Sequence, residues 1–205
     1  MAILVFTGIA AYMLGSFNAA YWLGRWFKGI DVREHGSKNA GATNLLRVAG
    51  WKIALPAFIL DVGKAYAAAS LAFLQNTWLP DSEAFLLWQI GLGMLAVIGH
   101  LLPVYIGFRG GKGVASMLGV VLAVHMPAAL AALSVFVLVL LITRIVSISS
   151  VSAGLSFPVF MIFVFGDRHI VLLTFSLLAA ALLLITHKRN LKRLLSGEEK
   201  RIRLK

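Results

Sequence analysis

Apolar residues fall into runs at about 3–25, 52–75, 84–105, 113–125, 127–143, 151–165 and 169–186, separated by short polar or glycine-containing stretches. A bilayer's hydrocarbon core, about 30 Å thick, is crossed by roughly twenty apolar helical residues, so these runs predict transmembrane helices. Seven of them predict an all-α, polytopic membrane bundle, one membrane-embedded domain over 1–205. Its polar segments lie at 28–52, 106–116, 144–150 and 187–205. The runs beginning at Val114 and Val151 are short for a full crossing, so tilt, half-crossing or local bilayer thinning must be allowed for.

Charge orients the bundle. An odd number of crossings puts the termini on opposite sides, and cations mark the cytoplasmic one. Lys28, Arg33, Lys38, Arg47, Lys52, Arg109, Lys112 and Arg144 fall on a single side, together with Lys188, Arg189, Lys192, Arg193, Lys200, Arg201, Arg203 and Lys205 of the tail. The other side has Asp81, Glu83, His125, Asp167, Arg168 and His169. The pattern places the N-terminus outside and the C-terminus in the cytoplasm.

Composition supports a membrane solvent: 60% of 205 residues are hydrophobic and 13% charged, with a mean hydropathy of +0.90. A soluble domain of this length cannot bury so much apolar surface. The first run has no basic segment ahead of it and no small-residue cleavage site, and reads as a retained span rather than a signal peptide. The net charge of +11 serves topology and contact with anionic headgroups of membrane lipid. Nucleic acid is a poor partner, because the cations are spread over several loops with no aromatic residues interleaved. Cysteine is absent, which removes disulfides, thiolate nucleophiles and cysteine metal sites.

The same topology gathers the polar motifs on the cytoplasmic face, where four segments distant in sequence can converge on one pocket. In the segment His35 to Asn44, Ser37, Asn39, Thr43 and Asn44 supply neutral donors, and Arg47 one turn later offers a bidentate fork to phosphate or carboxylate. Gly36 and Gly41 permit tight turns that point amides inward. Read alone, the segment is also a helix-capping loop with Ser37 or Asn44 as N-cap. A second segment, Gly107-Phe108-Arg109-Gly110-Gly111-Lys112-Gly113, precedes an apolar run. Its glycines let backbone amides approach a phosphate at a helix start, with Lys112 as a point charge. It is not a Walker A loop, since Ile106 stands at the first glycine and Gly113 at the metal-binding hydroxyl. A flexible turn with a topology-setting lysine is the competing reading.

Ser147 with Ser150 and His187 with Asn190 are each spaced i, i+3, so each pair shares a helix face. The serines can equally bond back to their own helix carbonyls. His187 can contact substrate or accept a proton near neutral pH. Asp61 and Lys64, also i, i+3, lie near the middle of the second run, where charge is costly. They can pair with each other, partner another group such as Arg109, or relay a proton or ion. His100, beside Gly99 at the end of the third run, can orient the glycine loop.

These segments together with Gly15-Ser16, Gly50, Gly99-His100 and Val114-Ala115, in chain order and over nearly the full length, resemble the bacterial membrane glycerol-3-phosphate acyltransferases that use acyl phosphate, the PlsY family. Ala65 after Lys64, where the family has glycine, and Ser116, where it has threonine, are small departures. The resemblance implies acyl transfer from acyl phosphate to the sn-1 hydroxyl of glycerol 3-phosphate, the first acylation of phospholipid biosynthesis. The products are lysophosphatidic acid and inorganic phosphate. It implies that Ser37, Asn39 and Thr43 hold the donor headgroup and that Arg47, Lys112, Ser150, His187 and Asn190 hold glycerol phosphate beside the Gly110, Gly111 and Gly113 backbone. Ser147 buttresses that pocket. It implies no cofactor and no metal, and functional coupling to an enzyme that produces acyl phosphate.

An acyl phosphate is already activated, so positioning and charge stabilisation can supply most of the rate. The H-x-x-x-x-D pair of thioester-dependent acyltransferases is absent: Ala40, Tyr105, Leu130, Thr174 and Lys192 stand five residues after the five histidines. The base is then His187 or the donor's own phosphate, as the family is thought to use. An organic-anion transporter would want an inverted repeat, and a metal-dependent headgroup transferase would want clustered aspartates; the chain shows neither pattern.

Overall fold

The structure, a computed structural model, describes residues 1–80 and 82–202; Asp81, Arg203 and Lys205 of the charge pattern lie outside them. The apolar runs fold as helices, nine among the described residues and with no strand: α1 (Ala2–Ser16), α2 (Ala19–Lys28), α3 (Ala42–Ala49), α4 (Trp51–Ser70), α5 (Glu83–Leu101), α6 (Val114–Val124), α7 (Met126–Thr143), α8 (Val146–Val159) and α9 (Ile170–Leu195). Five are long and apolar enough to cross a membrane, or six if α1 and α2 form one span. The longest helices turn Ile59, Ile142 and Leu178 outward, as the π-helical turn Phe160–Val164 after α8 does Phe163, with Ile142 82% and Phe163 79% exposed. Side chains of that kind left so open are the surface of helices solvated by lipid.

The first run is not a straight helix. Asn18 breaks it by capping α2, its side chain accepting the Tyr21 N–H at 2.9 Å, and α2 leaves α1 at 43°. A side-chain amide that takes over a first-turn donor is the usual device for starting a helix anew. Gly29 ends α2 in the left-handed conformation, with its N–H on Arg25 O at 3.0 Å. The fourth run is α6, whose 11 residues rise about 16 Å, roughly half the hydrocarbon thickness. The sixth run extends back to Val146, so Ser147 and Ser150 lie on α8 itself.

The chain divides into two compact units, residues 1–124 and 125 onward. In the first, α5 packs on α1 and α4 on α6. The approach is close because small residues line it: a side chain at Gly15 would meet the Ala96 backbone, and one at Gly119 the backbone of Val62 and Tyr66. Val32, Ala40, Leu45, Ala54 and Ala57 bury together beneath the 29–41 loop. In the second unit α8 packs against both α7 and α9.

Candidate active site

In the first unit the loop between α2 and α3 is held from inside by Asn44. This amide, 2% exposed, accepts the Ser37 N–H at 2.7 Å. Its two N–H groups are shared among Val32 O at 2.8 Å and His35 O and Asn39 O at 3.0 Å each. The sequence offered Asn44 as a ligand donor or an N-cap. The N-cap of α3 is Gly41, and Asn44 is instead the clamp of the loop, because its amide is committed to four backbone groups. Gly36, at φ +62°, and Lys38, at φ +57°, flank Ser37 in the left-handed region. A side chain on Gly36 would strike Asn44 Oδ1, so both conformation and space call for glycine there. Ser37 is exposed, while Asn39, Thr43 and Arg47 are half-buried, Arg47 one turn along α3 from Thr43.

The base of this loop is braced by charge. Arg33 donates to Asp31 through Nε at 3.0 Å and Nη2 at 2.8 Å, and its Nη1 reaches Ile106 O at 2.7 Å. The guanidinium also lies 4.7 Å from the centre of the Tyr21 ring. The Arg33 hydrogen bonds hold the Asp31 carboxyl below the usual carboxylate range.

The glycine segment is organised differently. Gly110 N–H donates to Leu101 O and Gly111 N–H to His100 O, both at 3.1 Å, so these amides satisfy carbonyls left open at the C-terminus of α5. They do not form the phosphate-facing row expected from the sequence. The glycines serve approach: a side chain at Gly110 would collide with His100 O and Leu101 O, and one at Gly111 with His100 Nε2 and Ala40 O. Lys112, half-buried, is carried between Gly111 and Gly113, the latter at φ +78°. Because Ala40 O abuts Gly111 and Arg33 reaches Ile106, the two loops lie side by side.

Behind them Lys64 Nζ donates to Asp61 Oδ1 at 2.7 Å, Phe17 O at 2.6 Å and His100 Nδ1 at 3.0 Å. Of the arrangements open from the sequence, Asp61 and Lys64 therefore pair with each other. Arg109 is exposed, and its carbonyl accepts from Arg33 Nη1 at 3.4 Å.

In the second unit Ser147, Ser150, His187 and Asn190 are all buried. Ser150 Oγ bonds back to Val146 O at 2.8 Å, the helix-internal use open to it from the start. His187 Nδ1 lies 2.9 Å from Leu183 O; a carbonyl only accepts, so Nδ1 carries the proton of that bond. Ser147 Oγ, at 2.9 Å, and Asn190 Nδ2, at 2.6 Å, both donate to Glu199 Oε1, and Arg193 Nε donates to Oε2 at 2.8 Å. Burial pushes the Glu199 carboxyl up, and the hydrogen bonds from Asn190, Arg193 and Ser147 outweigh it, leaving the group below its ordinary value. Two neutral donors that meet one carboxylate oxygen can meet a phosphate oxygen equally well. No group of three or more His, Asp or Glu suited to a metal occurs among the described residues.

Residues 5–197 match the model of a family described as glycerol-3-phosphate acyltransferase. The chain belongs to this family. It is an acyltransferase. It is 40% identical over 203 residues to the glycerol-3-phosphate acyltransferase of Thermosynechococcus vestitus, an alignment spanning 98% of this chain and 95% of that one. A Synechococcus relative of the same name is 43% identical over 193 residues, spanning 93% and 91%. Two crystal structures of PlsY (YgiH), an integral membrane glycerol 3-phosphate acyltransferase, share the fold. The glycerol 3-phosphate form superposes with a TM-score of 0.86 at 37% identity, covering 98% of this chain and 96% of that one. The lysophosphatidic acid form gives 0.84 at 36%, covering 98% and 95%.

Three features of this PlsY-family acyltransferase escape a reading of its sequence. The Asp31–Arg33 brace involves neighbours that look like ordinary loop charges. Asn44 as a clamp has no local signature, since its partners are backbone groups 5 to 12 residues away. Glu199 carries the one available signal, an acid pair in an otherwise basic tail.

Proposed function

We propose that this acyltransferase moves an acyl chain from acyl phosphate to the sn-1 hydroxyl of glycerol 3-phosphate. The hydroxyl oxygen attacks the acyl carbon and the acyl–oxygen bond to phosphate breaks. The hydroxyl proton passes to the departing phosphate. Lysophosphatidic acid and inorganic phosphate leave. Support comes from relatives named for glycerol 3-phosphate acylation. The observation that carries the donor assignment is the pair of loops side by side, one rich in neutral donors and one carrying Lys112. Two adjacent phosphate holders suit a reaction in which both substrates bear phosphate.

Within this reading Ser37, Asn39 and Thr43 hold the acyl phosphate headgroup, and Arg47 and Lys112 hold glycerol phosphate. The resemblance also gives Ser150, His187 and Asn190 to glycerol phosphate, with Ser147 buttressing them. Asn44, Gly110, Gly111 and Gly113 shape the loops. The donor's phosphate is the base and His187 a substrate contact, and Ser37 polarises the donor without forming an acyl-enzyme; a trapped acyl-Ser37 adduct would refute that last role. Rate comes from positioning and charge stabilisation of an activated donor, which an acyl-phosphate-forming enzyme must supply.

Counting α1–α2 as one bent crossing and α6 as a short one gives seven crossings with α4, α5, α7, α8 and α9, and the cation bias puts the loops and C-terminus in the cytoplasm of a bacterial cell. The chain lacks cysteine, so Lys200→Cys, labelled by an impermeant thiol reagent only in inside-out vesicles, tests the orientation. The decisive assay gives purified protein glycerol 3-phosphate with palmitoyl phosphate, palmitoyl-CoA or an acyl carrier protein thioester. Lysophosphatidate with phosphate release from the first alone is the expected result; no product from palmitoyl phosphate would sink the proposal.

A further inference from the structure

The ionic cluster inside the helical bundle has no part in the chemistry so far. Its geometry is nonetheless complete. Lys64 has three N–H donors and meets three acceptors: Asp61 Oδ1 at 2.7 Å, Phe17 O at 2.6 Å and His100 Nδ1 at 3.0 Å. An ammonium only donates, so in its bond with Lys64 the His100 Nδ1 is the acceptor. Asp61 also faces the Ala19 N–H at 3.4 Å and His100 Nδ1 at 3.5 Å. Both charged side chains are nearly closed to solvent, at 7% and 1%. A pair so placed contributes little net stability over apolar residues of the same size, so stability does not account for its presence.

Two branches lead from it to the loops. Phe17 and Ala19 flank Asn18 at the break between α1 and α2, and Asn18 Nδ2 donates to Ala40 O at 2.9 Å, at the end of the Ser37 loop. On the other branch the His100 ring, turned by Lys64, puts its Nε2 edge against Gly111, while His100 O accepts the Gly111 N–H at 3.1 Å. The branches meet where Ala40 O and His100 Nε2 both crowd the space a Gly111 side chain would need.

We infer that Asp61, Lys64 and His100 form a positioning clamp that sets the Ser37 loop and the glycine-lysine loop in register with each other, and thereby sets Ser37 against Lys112. This rests on the reading above, in which those loops hold the two phosphates. The clamp neither touches substrate nor moves a proton in the reaction.

The test replaces the charges together, Asp61→Leu with Lys64→Met, which removes the clamp without stranding one buried charge. Hydrogen exchange of the full-length protein in detergent, without substrate, should show faster exchange in 35–44 and 107–113 with the helices still protected. In turnover, kcat/KM should fall by at least about tenfold, the effect of one well-placed hydrogen bond to a charged group. Should the double variant not fold, His100→Phe and Asn18→Ser decide, each cutting one branch. His100→Phe should loosen 107–113 and raise the KM for glycerol phosphate, with His100→Gln recovering part of it. Asn18→Ser keeps a helix cap but should loosen 35–44 and raise the KM for acyl phosphate. A folded variant with exchange and kinetics like the parent protein overturns the inference. If the unmodified protein does not turn over acyl phosphate, the underlying reading fails, and the exchange measurements still decide the clamp.

Discussion

The two neighbouring loops of the first unit reach a fixed shape by opposite means. The Ser37 loop is held by side chains: Asn44 binds four of its backbone groups, and Asp31 and Arg33 brace its base. The Gly107–Gly113 loop is held mainly through its backbone, the Gly110 and Gly111 amides on the α5 carbonyls and Arg109 O accepting from Arg33, and at Gly110 and Gly111 nothing larger fits. The difference reassigns function. In the first loop part of the polar inventory is scaffold, and in the second the glycines are scaffold and the lysine is the cargo. Under the proposed function, anion binding in this unit then falls to few groups: Ser37, Asn39, Thr43, Arg47 and Lys112.

If Lys112 is the cargo of the second loop, Lys112→Ala should give the largest effect, a rise in the KM for glycerol phosphate of about a hundredfold, as expected for removing one partner of a desolvated charge pair. The KM for acyl phosphate should move much less. Steady-state assays with each substrate varied in turn check this, and an equal change in both would mean that the loops do not divide the substrates. Asn44→Ala comes next. It leaves the Ser37 N–H and three carbonyls to find water, at about 1–3 kcal/mol for each group that does not. Activity should drop by about thirtyfold, against both substrates and with the helices intact by circular dichroism. A variant with a change confined to one KM would mark Asn44 as a ligand after all.

The glycines allow a sharper test, because two of them differ in surroundings. At Gly111 a methyl group collides with His100 Nε2 and Ala40 O, whereas at Gly107 it meets nothing within 4 Å. Gly111→Ala should displace Lys112 and raise the KM for glycerol phosphate by about tenfold, roughly 1.4 kcal/mol. Gly107→Ala, at φ +71°, carries only backbone strain of about 1–2 kcal/mol. That strain should appear as a lower melting temperature with little change in KM. Equal kinetic effects would show that conformation rather than close approach sets the loop.

Much of this was legible beforehand, and the exceptions share a cause. The apolar runs announced the helices because lipid demands long uncharged segments, and the two loops stood out as polar islands between them. Resemblance carried the family. What could not be read were partnerships that depend on tertiary placement. Asn18 within an apolar run does not reveal that it starts a new helix and also holds Ala40. The row Gly110-Gly111 looks like an amide cradle until the C-terminus of α5 takes those amides. Ser147 and Asn190 both touch the Glu199 carboxylate, a partnership with a tail residue that no periodicity announces.

The smallest predicted effect separates the loops by pH. The folded-state pKa of Asp31 lies below its ordinary value because Arg33 binds its carboxylate. A depressed carboxyl stabilises the fold above its unfolded pKa, near 3.9, and that contribution disappears as pH falls through the folded value. The Gly107–Gly113 loop contains no carboxylate. Between about pH 6 and pH 3 the exchange protection of 31–44, corrected for intrinsic rates, should therefore decline by a few-fold more than that of 107–113. Asp31→Asn should show the weaker protection already at neutral pH and lose the acid-dependent difference, since an amide binds Arg33 without charge. Parallel loss in both loops of the parent protein would mean that the Arg33 bond to Ile106 O couples them, making the brace common to both loops rather than part of the first alone.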